Sequence, residues 1–568
     1  MFVRVKRADN REYLQLVENR RVGGKVRQSV VANLGRLDQW REDGTLEAVV
    51  ASLARHSEKL AVLTANESGD LDAVSRECVG PSLLFGRLWE RSGLVRILSG
   101  LLSERAFEFP VERAVFATVL HRLCDPGSDR ACEHWMRDRA IGGAEDLALH
   151  HFYRAMAWLG EALPDEEQGG ATPFAPRCTK DLVEESLFAR RRTLFSSLSL
   201  CFFDTTSIYF EGEGGESIGQ YGHSKDHRPD LKQMVVGAVL DAEGHPICCE
   251  LWPGNTTDVT TLVPVLDRLR ERFGITEVCL VSDRGMISKE TITALESRVP
   301  KVSYILGARM RRVKEVGEEV LSRAGRYHIV HGEREGSKDP SPLKVKEVEV
   351  GGRRYVVCVN EEQARKDAAD REAILRSLKD QLKRGAKSLV GNKGYRRYLA
   401  SEGARFAIDA KKVKEEERYD GTWVLRTNTD LPAGEVALQY KQLWMVEALF
   451  RSVKSVMETR PIYHKRDETI RGHVFCSFLA LVLTKALEDT LAKAGLKVER
   501  DRFMSDLEAI ETITVEQHGK RFALRTDARG EVGKAFQAAA VALPQRIRQL
   551  PAAPSGTGPP QPAKEGKM

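Results

Sequence analysis

The chain has 568 residues, enough for several domains and more than one hydrophobic core. Its residues are 42% hydrophobic and 30% charged, as in soluble globular proteins, and a net charge of +6 is too mild to indicate a nucleic-acid binder by itself. The ten cysteines form no Cys-x-x-Cys pair, and the longest near-apolar run, 474–483, has about half the length that a membrane span needs. We therefore expect a soluble, cytoplasmic protein with reduced thiols and no membrane contact.

Two regions are predicted before residue 196. Strand-like segments at 2–5, 13–17 and 26–32, with Gly23-Gly24 in the turn between the last two, predict a small β unit over 1–45. Apolar residues recur at helical spacing in 111–123 and 152–163, which predicts a mainly helical region over 46–195.

Strands then alternate with helices over 196–306. Five strands are predicted, at 198–207, 234–240, 247–252, 278–281 and 302–306. A helix is predicted from about Thr260 to Phe273, because Pro264 is tolerated best in a first turn, and another at 289–297. This order is compatible with an α/β fold that has a mixed sheet of the RNase H-like kind, although periodicity alone does not select that fold.

The remaining sequence divides into three parts. Strands at 343–350, 354–359 and 422–426 around a charged helix at 363–383 predict a β-rich insertion over 307–434. Residues 435–550 are predicted to be helical, and the tail 551–568, rich in Pro, Gly and Lys, to be disordered.

Three acids stand in contexts that could bring them to one place. Asp204 ends the apolar run LSLCFF, and Asp283 follows the short run VCLV, so each lies where a buried strand meets polar sequence. Glu447 recurs with Tyr440, Trp444, Arg451 and Lys454 at three- and four-residue steps, which predicts one helical face. Simpler interpretations exist: aspartate also terminates strands and caps helices, and Glu447 with Arg451 could be only an ion pair worth roughly 0.3–0.5 kcal/mol.

Three neighbouring carboxylates would repel one another unless a cation joined them. Oxygen ligands of this kind suit Mg²⁺ or Mn²⁺, and two such ions about 3.5–4 Å apart would support an in-line displacement at phosphorus. Arg451 and Lys454, on the same predicted face, could then hold a phosphate backbone. The spacing alone leaves this interpretation open.

A series of motifs resembles the DDE transposases of bacterial insertion sequences, in the group with a Tyr-(2)-Arg-(3)-Glu-(6)-Lys signature. Tyr440, Glu447 and Lys454 match that signature, whereas Leu443 stands in place of the arginine, which Lys441 or Arg451 could replace. The other matching stretches are NLGRLD at 33–38, FFDTTS at 202–207, YGHSKDHRPDLKQ at 221–233, PGNTTD at 253–258, SDRGM at 282–286, DGTWVLRTN at 420–428 and RPIYHK at 460–465.

The resemblance implies an RNase H-like core that is interrupted by the β-rich insertion. It implies that Asp204, Asp283 and Glu447 bind two Mg²⁺ or Mn²⁺ ions, with Tyr440, Arg451 and Lys454 close to the DNA. A tryptophan of the insertion stacks on a flipped base in related enzymes, and Trp423 is the candidate here, although a tryptophan packed in a β core is the competing interpretation.

The function implied is cut-and-paste transposition, with metal-dependent cleavage at terminal inverted repeats and strand transfer into target DNA by a homodimer or larger complex. The helical region 46–195 is the expected reader of the DNA ends. Two alternatives remain at this point: a metal-dependent nuclease on the same core, and a transposase-derived DNA-binding protein without catalysis. Leu443 keeps the second alternative open.

Overall fold

The computed structural model describes most of the chain, namely residues 1–8, 11–22, 25–54, 72–169, 171, 175–192, 200–275, 278–298, 301–334, 336, 339–384, 396–402, 405–517 and 520–551. The predicted turn at Gly23-Gly24 and the predicted disorder of the tail beyond residue 551 lie outside these residues. The chain forms two compact units. The first contains Met1–Leu84, Asp138–Ala140 and Ala494–Met568, and the second contains Phe85–Arg137 and Ile141–Lys493.

The first unit begins with the predicted N-terminal β unit. Its three strands are confirmed and are longer than predicted: β1 (Phe2–Ala8), β2 (Arg11–Val22) and β3 (Lys25–Arg36) pair in that order as an antiparallel sheet. Helices α1 (Leu37–Glu42) and α2 (Thr45–Ala54) follow in the described residues up to 54.

A second antiparallel sheet in this unit differs from the predictions in two places. It has the order β18-β17-β16-β4 and contains β4 (Asp72–Cys78), β16 (Glu511–Gln517), β17 (Lys520–Arg525) and β18 (Ile547–Leu550). The region 46–195 was predicted to be mainly helical, and the strand β4 within it was not predicted. The expected helices to about residue 550 are wrong beyond α16 (Arg500–Glu508), apart from the short helix α17 (Val532–Ala538).

The reason for both differences is a pairing between distant parts of the chain. Strand β4 gains its hydrogen bonds from β16, where Thr512 stands opposite Glu77 and Arg76 donates a 2.7 Å hydrogen bond to Glu511. Local periodicity carries no information about a partner more than 430 residues away, so a short polar segment such as β4 shows no strand signal by itself.

The second unit is built on a mixed sheet of nine strands. Their order is β10-β11-β12-β15-β9-β8-β5-β6-β7, in which β5, β8 and β9 pair in parallel and the other neighbours pair antiparallel. The strands are β5 (Leu200–Tyr209), β6 (Gln233–Leu240), β7 (Pro246–Pro253), β8 (Cys279–Ser282), β9 (Ser303–Gly307), β10 (His328–His331), β11 (Leu343–Val350), β12 (Arg353–Val359) and β15 (Thr422–Thr427).

The second unit also contains helices. They are α3 (Gly80–Ser92), which starts in the first unit, α4 (Leu94–Leu101), α5 (Val111–Cys124), α6 (Asp129–Trp135), α7 (Leu149–Gly160), α8 (Thr179–Arg191), α9 (Asp258–Phe273), α10 (Lys289–Glu296), α11 (Glu361–Arg384), α12 (Ala410–Glu417), α13 (Ala433–Lys441), α14 (Trp444–Arg451) and α15 (Asp467–Lys493). A small hairpin of β13 (Leu399–Glu402) and β14 (Arg405–Ile408) stands apart from the large sheet.

The strands and helices predicted over 196–306 are confirmed within a few residues, with two corrections. Strand β5 does not end at Asp204, because it continues beside β6 as far as Tyr209. Helix α9 begins at Asp258, so Pro264 lies in its interior and not in its first turn. A proline there removes one intrahelical hydrogen bond, which the burial of Leu262, Val265 and neighbouring apolar residues offsets.

The segment 307–434 continues the large sheet. Strand β15 pairs with β9, where Leu425 stands opposite Gly307, and β12, β11 and β10 follow outward from β15. The predicted strands of this segment and its charged helix are present, and the helix is α11.

Helix α15 is the described helix that has the length and composition to cross a membrane. Its most apolar window of 18 residues is 67% buried, and it packs against α5, α7 and β7. These contacts identify it as a core helix of the second unit.

A buried network of charges joins α8, α9 and β7. Arg272 of α9 is within 2.6 Å of Glu184 and 3.1 Å of Glu250, and Arg268 is within 3.1 Å of Glu250 and 3.3 Å of Asp181. All five side chains are nearly inaccessible to solvent. Burial without such partners would cost several kcal/mol per ion, so the network fixes how the two helices pack on the sheet.

Candidate active site

The parallel pairing of β5 and β8 places two predicted acids side by side. Phe203 of β5 stands opposite Ser282 of β8, and the next residues are Asp204 and Asp283. Neighbouring strands lie about 4.8 Å apart, so the register alone brings both carboxylates to the edge where β8 ends. The structure thus brings together two acids that are 79 positions apart in the sequence.

The carboxylate of Asp204 is half-buried on a strand whose preceding residues, Phe202 and Phe203, are fully buried. Burial raises the pKa of Asp204 to about 6, and the charges of Asp283 and Asp258 act in the same direction against Lys225. The backbone N–H of Thr205 donates a 2.7 Å hydrogen bond to the Asp204 side chain. An acid held in such surroundings is stabilised in its charged form by an added cation.

Tyr440 holds the second acid. Its hydroxyl donates a 2.9 Å hydrogen bond to Oδ1 of Asp283. Burial first, and then the charge of Asp283, raises the pKa of Tyr440 above its ordinary value, so the phenol stays protonated as a donor. Gly307 makes room for this contact, because a Cβ atom at that position would lie 2.4 Å from the Tyr440 oxygen.

Glu447 faces the same space from α14. It is exposed, and it lines a cavity of about 380 Å³ together with Asp204 and Asp283. The other lining residues are Asn360, Gln363, Trp423, Tyr440, Lys441, Leu443 and Trp444. We call this space the acid cavity.

The three acids are near one another but are not tightly clustered. Among the described residues, two other groups have ligand atoms that all lie within 4.8 Å of one another: Asp129 with His464 and His473, and Asp241 with Glu243 and His245. Asp204, Asp283 and Glu447 are not such a group. A shared cation would therefore draw the exposed Glu447 side chain inward.

The prediction of one continuous helical face from Tyr440 to Lys454 is wrong. Helix α13 ends at Lys441, α14 starts at Trp444, and a wide π turn covers Ser452–Val456. The break is made by tight bonds three residues apart, from the Leu443 N–H to the Tyr440 carbonyl at 3.1 Å and from the Val446 N–H to the Leu443 carbonyl at 3.0 Å.

Leu443, the departure from the signature, lies at this break. Its side chain is buried and lines the acid cavity, where it offers no polar atom. Of the two cations that could replace the missing arginine, Lys441 lines the cavity and Arg451 does not. Burial lowers the pKa of Lys441, which indicates a cation in partly desolvated surroundings.

Some of the predicted DNA-binding residues line the acid cavity and others lie outside it. Tyr440 and Trp423 line the acid cavity, whereas Arg451 is exposed outside its lining. Lys454 lies 2.7 Å from Asp226, and Arg460 lies 2.6 Å from the same carboxylate, so Lys454 is already engaged in an ion pair that it shares with Arg460.

Trp423 has features of both interpretations given for it, a ring that stacks on a base and a residue packed in a β core. It is a half-buried residue of β15 with its indole Nε1 unpartnered among the described residues, and the ammonium of Lys441 lies 5.8 Å from its ring centroid. Its position in the cavity lining, and not in the apolar core, leaves part of the ring available to a ligand.

Several residues of the site were not identified from the sequence. Asp258 accepts a 2.7 Å hydrogen bond from Thr205 and lies 3.1 Å from Lys225. Asn360 and Gln363 reach the acid cavity from the start of α11. Asp258 belongs to the motif PGNTTD and Lys225 to the motif YGHSKDHRPDLKQ. Their presence in these motifs was the sequence feature that could have identified them as site residues.

Two family models match the sequence. The model described as "IS1634 family transposase, N-terminal domain" matches residues 2–67, and the model described as "Transposase DDE domain" matches residues 196–483. The second match covers just over half of the chain and contains all three acids. No curated protein matches the sequence.

Among solved structures, the chain is similar to two proteins at low identity. One is piggyBac transposase in a synaptic complex with hairpin DNA, with 12% identity over 76% of this chain and 79% of that chain and a TM-score of 0.36. The other is Mos1 transposase in a paired-end complex with the left transposon end, with 14% identity over 35% of this chain and 61% of that chain and a TM-score of 0.14. Likeness at these TM-scores supports no further argument, so the assignment depends on the family models.

Proposed function

The chain belongs to the DDE transposases and is a DNA transposase, and on this premise we propose that Asp204, Asp283 and Glu447 bind its catalytic metal ions. The observation that carries the proposal is their convergence. The parallel register of β5 and β8 puts Asp204 beside Asp283, and Glu447 lines the same cavity from α14.

The chemistry of these side chains fits a hard divalent cation. All three offer carboxylate oxygens, and the raised pKa of Asp204 reflects burial beside other acids, which a cation would relieve. We propose Mg²⁺ or Mn²⁺, as two ions. Such ions, when bound, activate a water or a 3′-hydroxyl and stabilise the leaving oxygen in displacement at phosphorus.

The surrounding residues have supporting tasks in this proposal. Tyr440 fixes the orientation of Asp283 through its hydroxyl, and the Thr205 N–H fixes that of Asp204. Lys225 and Asp258 neutralise each other beside the acids. Mutation of a residue that orients a metal ligand in this way commonly lowers metal affinity or activity by 10–100-fold.

The DNA is proposed to enter the acid cavity beside Trp423, Trp444 and Lys441. Lys441 takes the place of the signature arginine as the nearby cation, and Trp423 offers a ring on which an unpaired base can stack for roughly 1–3 kcal/mol. Arg451 and Lys454 are proposed to contact the DNA backbone farther from the cavity, Lys454 after exchange of its partner Asp226.

The wider assignment follows from the same premise. We propose an RNase H-like core over 196–306 and 435–493, the strands of 307–434 as its insertion, and the helical part of 46–195 as the reader of the terminal inverted repeats. Cleavage at both ends and strand transfer into target DNA require a homodimer or larger complex, working in the cytoplasm on the nucleoid. The strand order β9-β8-β5-β6-β7, in which β9, β8 and β5 are parallel and β6 and β7 antiparallel, supports the core assignment.

The test is cleavage of a labelled duplex that carries the element's own terminal repeat, with Mg²⁺ or with EDTA. The wild type is compared with Glu447→Gln and with the control Glu435→Gln, an exposed glutamate of α13 outside the cavity. We expect metal-dependent nicking at the repeat boundary for the wild type and the control, and loss of at least about 100-fold in Glu447→Gln. Equal activity of Glu447→Gln and the control would assign the third ligand to another residue.

Detection of DNA ends joined to a target distinguishes a transposase from a nuclease. Recovery of the labelled end in a target plasmid identifies strand transfer, whereas cleavage without joining identifies a nuclease. Specific binding without any cleavage, in the wild type with Mg²⁺, would contradict the catalytic assignment.

A further inference from the structure

A second cavity of the second unit is lined by cations. It has a volume of about 320 Å³ and lies between α3, α8, the turn from β6 to β7, and α15. Its charged lining residues are Arg91, Arg191, Lys485, Lys493, His245 and Asp489. We call it the basic cavity. None of these residues lines the acid cavity.

The described part of this lining contains one carboxylate, that of Asp489, and it is already paired. Asp489 lies 2.7 Å from Nε2 of His245 and 3.0 Å from Lys485. Asp241 pairs with the other ring nitrogen of His245 at 3.0 Å, and these two acids raise the pKa of that histidine. The histidine thereby links the β6–β7 turn to α15 and forms one wall of the cavity.

Three cations of the lining have no ion pair among the described residues. Arg91 and Lys493 are exposed, and Arg191 is half-buried. Arg191 donates one 2.6 Å hydrogen bond to the Pro246 carbonyl, and burial lowers its pKa. A guanidinium has five N–H donors, and its planar fork matches phosphate oxygens.

Helix ends explain only part of this arrangement. Arg91, Arg191 and Lys493 stand in the last turns of α3, α8 and α15, where cations are favourable in any protein. A half-buried guanidinium without a direct ion pair is not explained in this way, because burial outweighs the favourable charges of Asp241 and Asp489 and lowers the pKa of Arg191. The neighbouring Arg190 is not among the lining residues and donates to the Ser92 carbonyl at 3.2 Å.

We propose that the basic cavity binds the phosphate backbone of DNA, as a contact separate from the acid cavity. Two lysines of the lining, Lys485 and Lys493, are eight positions apart on α15, which corresponds to about 12 Å along the helix, so the cations do not converge on one point. Phosphates follow one another along a DNA strand, so cations spread over this distance can contact more than one of them. A single free phosphate would not reach all of these cations.

The proposal is tested by binding of duplex DNA that carries the terminal repeat, measured by fluorescence anisotropy at several salt concentrations. The full chain is used with EDTA, so that the measurement does not depend on catalysis or on the metal-site assignment. The test variant is Arg91→Gln with Lys493→Gln, since both side chains are exposed. The control is Arg87→Gln with Lys465→Gln, which removes the same charge from exposed positions outside the basic cavity.

We expect the test variant to bind at least about 10-fold more weakly than the control at 150 mM salt. We also expect its plot of log affinity against log salt to be shallower by about 1.8, from two lost phosphate contacts at about 0.9 each. Arg191→Gln should weaken binding in the same sense and Arg191→Lys less so, with thermal melting used to confirm that each variant is folded. Equal affinity and slope in the test variant and the control would overturn the proposal and identify the residues as helix-end cations only.

A free phosphate ion could bind the same cations as a DNA backbone, so inorganic phosphate is tested as a competitor. At constant ionic strength, 10 mM phosphate is expected to compete only weakly with DNA. Saturable phosphate binding that the Arg91 and Lys493 changes abolish, with DNA affinity unaltered, would overturn the DNA assignment in favour of a small-anion site.

Discussion

The hydroxyl of Tyr440 lies 2.9 Å from Oδ1 of Asp283 and donates a hydrogen bond to it across the sheet edge. The two residues belong to different elements, α13 and the turn after β8, and they are 157 positions apart. This bond joins the helical part of the acid cavity to the strand that supplies its second carboxylate.

Removal of that bond should weaken the site without unfolding the protein. Tyr440→Phe is expected to lower Mn²⁺ affinity and terminal cleavage by about 10–100-fold, because the carboxylate of Asp283 loses its orientation. The control is Tyr463→Phe, whose exposed hydroxyl donates a bond of the same 2.9 Å length to Glu211 outside the acid cavity. Equal losses in both variants, or none in Tyr440→Phe, would contradict this role.

Gly307 should tolerate no side chain while Tyr440 is present. Gly307→Ala places a Cβ 2.4 Å from the Tyr440 oxygen, so we expect the tyrosine to be displaced and cleavage to fall at least as far as in Tyr440→Phe. The double variant Gly307→Ala, Tyr440→Phe should lose less than the sum of both, since the clashing oxygen is gone. Gly100→Ala, where a Cβ meets nothing within 4 Å, is the control and should leave cleavage unchanged.

Stability without metal should depend on the protonation of Asp204. Its folded pKa of about 6 lies above the ordinary value of 3.8, so the folded state binds this proton more tightly than the unfolded state. The metal-free protein therefore loses stability as the pH rises from about 4 to 6, by on the order of 2 kcal/mol, and the loss persists above pH 6.

The corresponding variant is Asp204→Asn, studied by thermal melting in EDTA. Its Tm should exceed that of the wild type at pH 7.5, and the difference should shrink towards pH 4. Added Mg²⁺ should raise the Tm of the wild type and not that of the variant. A variant less stable than the wild type at pH 7.5 would show that the charged carboxylate is well compensated in the folded protein.

The sequence contained enough information for the strands around Asp204 and Asp283, because apolar runs and their polar ends are local features. The proximity of the two carboxylates depends on the register between β5 and β8, which local periodicity does not encode. The helix break at Leu443 was missed because a single hydrophobic residue gives no sign of a change to tighter bonding. Glu447 nevertheless reaches the cavity, since the break lies before α14 and leaves that helix intact.

Long-range pairing accounts for the other differences. Strand β16, with the sequence ETITVEQ, has an alternating pattern that could have been recognised, whereas β4 depends on β16 for its hydrogen bonds. The charged residues Arg268, Arg272 and Glu184 have the composition of solvated helix faces, and only the packing of α8 on α9 shows that they are buried.

The buried charge network should be far more sensitive than an exposed ion pair. Arg272→Met removes the closest cation of Glu184 and leaves Glu250 with Arg268 alone, so two buried carboxylates are under-compensated, and we expect a loss of about 3–5 kcal/mol in the free energy of unfolding. Arg298→Met, which removes a 2.7 Å pair with the more exposed Asp267, should cost at most about 1 kcal/mol. Urea unfolding of both variants measures the difference, and similar costs would show that the network adds little.

The most direct test of the proposed metal site is equilibrium binding of Mn²⁺, followed by the EPR signal of the free ion, at pH 7.5 and without DNA. The wild type is compared with Asp204→Asn, Asp283→Asn and Glu447→Gln, and with the control Glu435→Gln. We predict that each of the three site variants loses the tightest Mn²⁺ binding, whereas the control retains it. Unchanged Mn²⁺ affinity and stoichiometry in all three site variants would contradict the proposal that these carboxylates form one metal site.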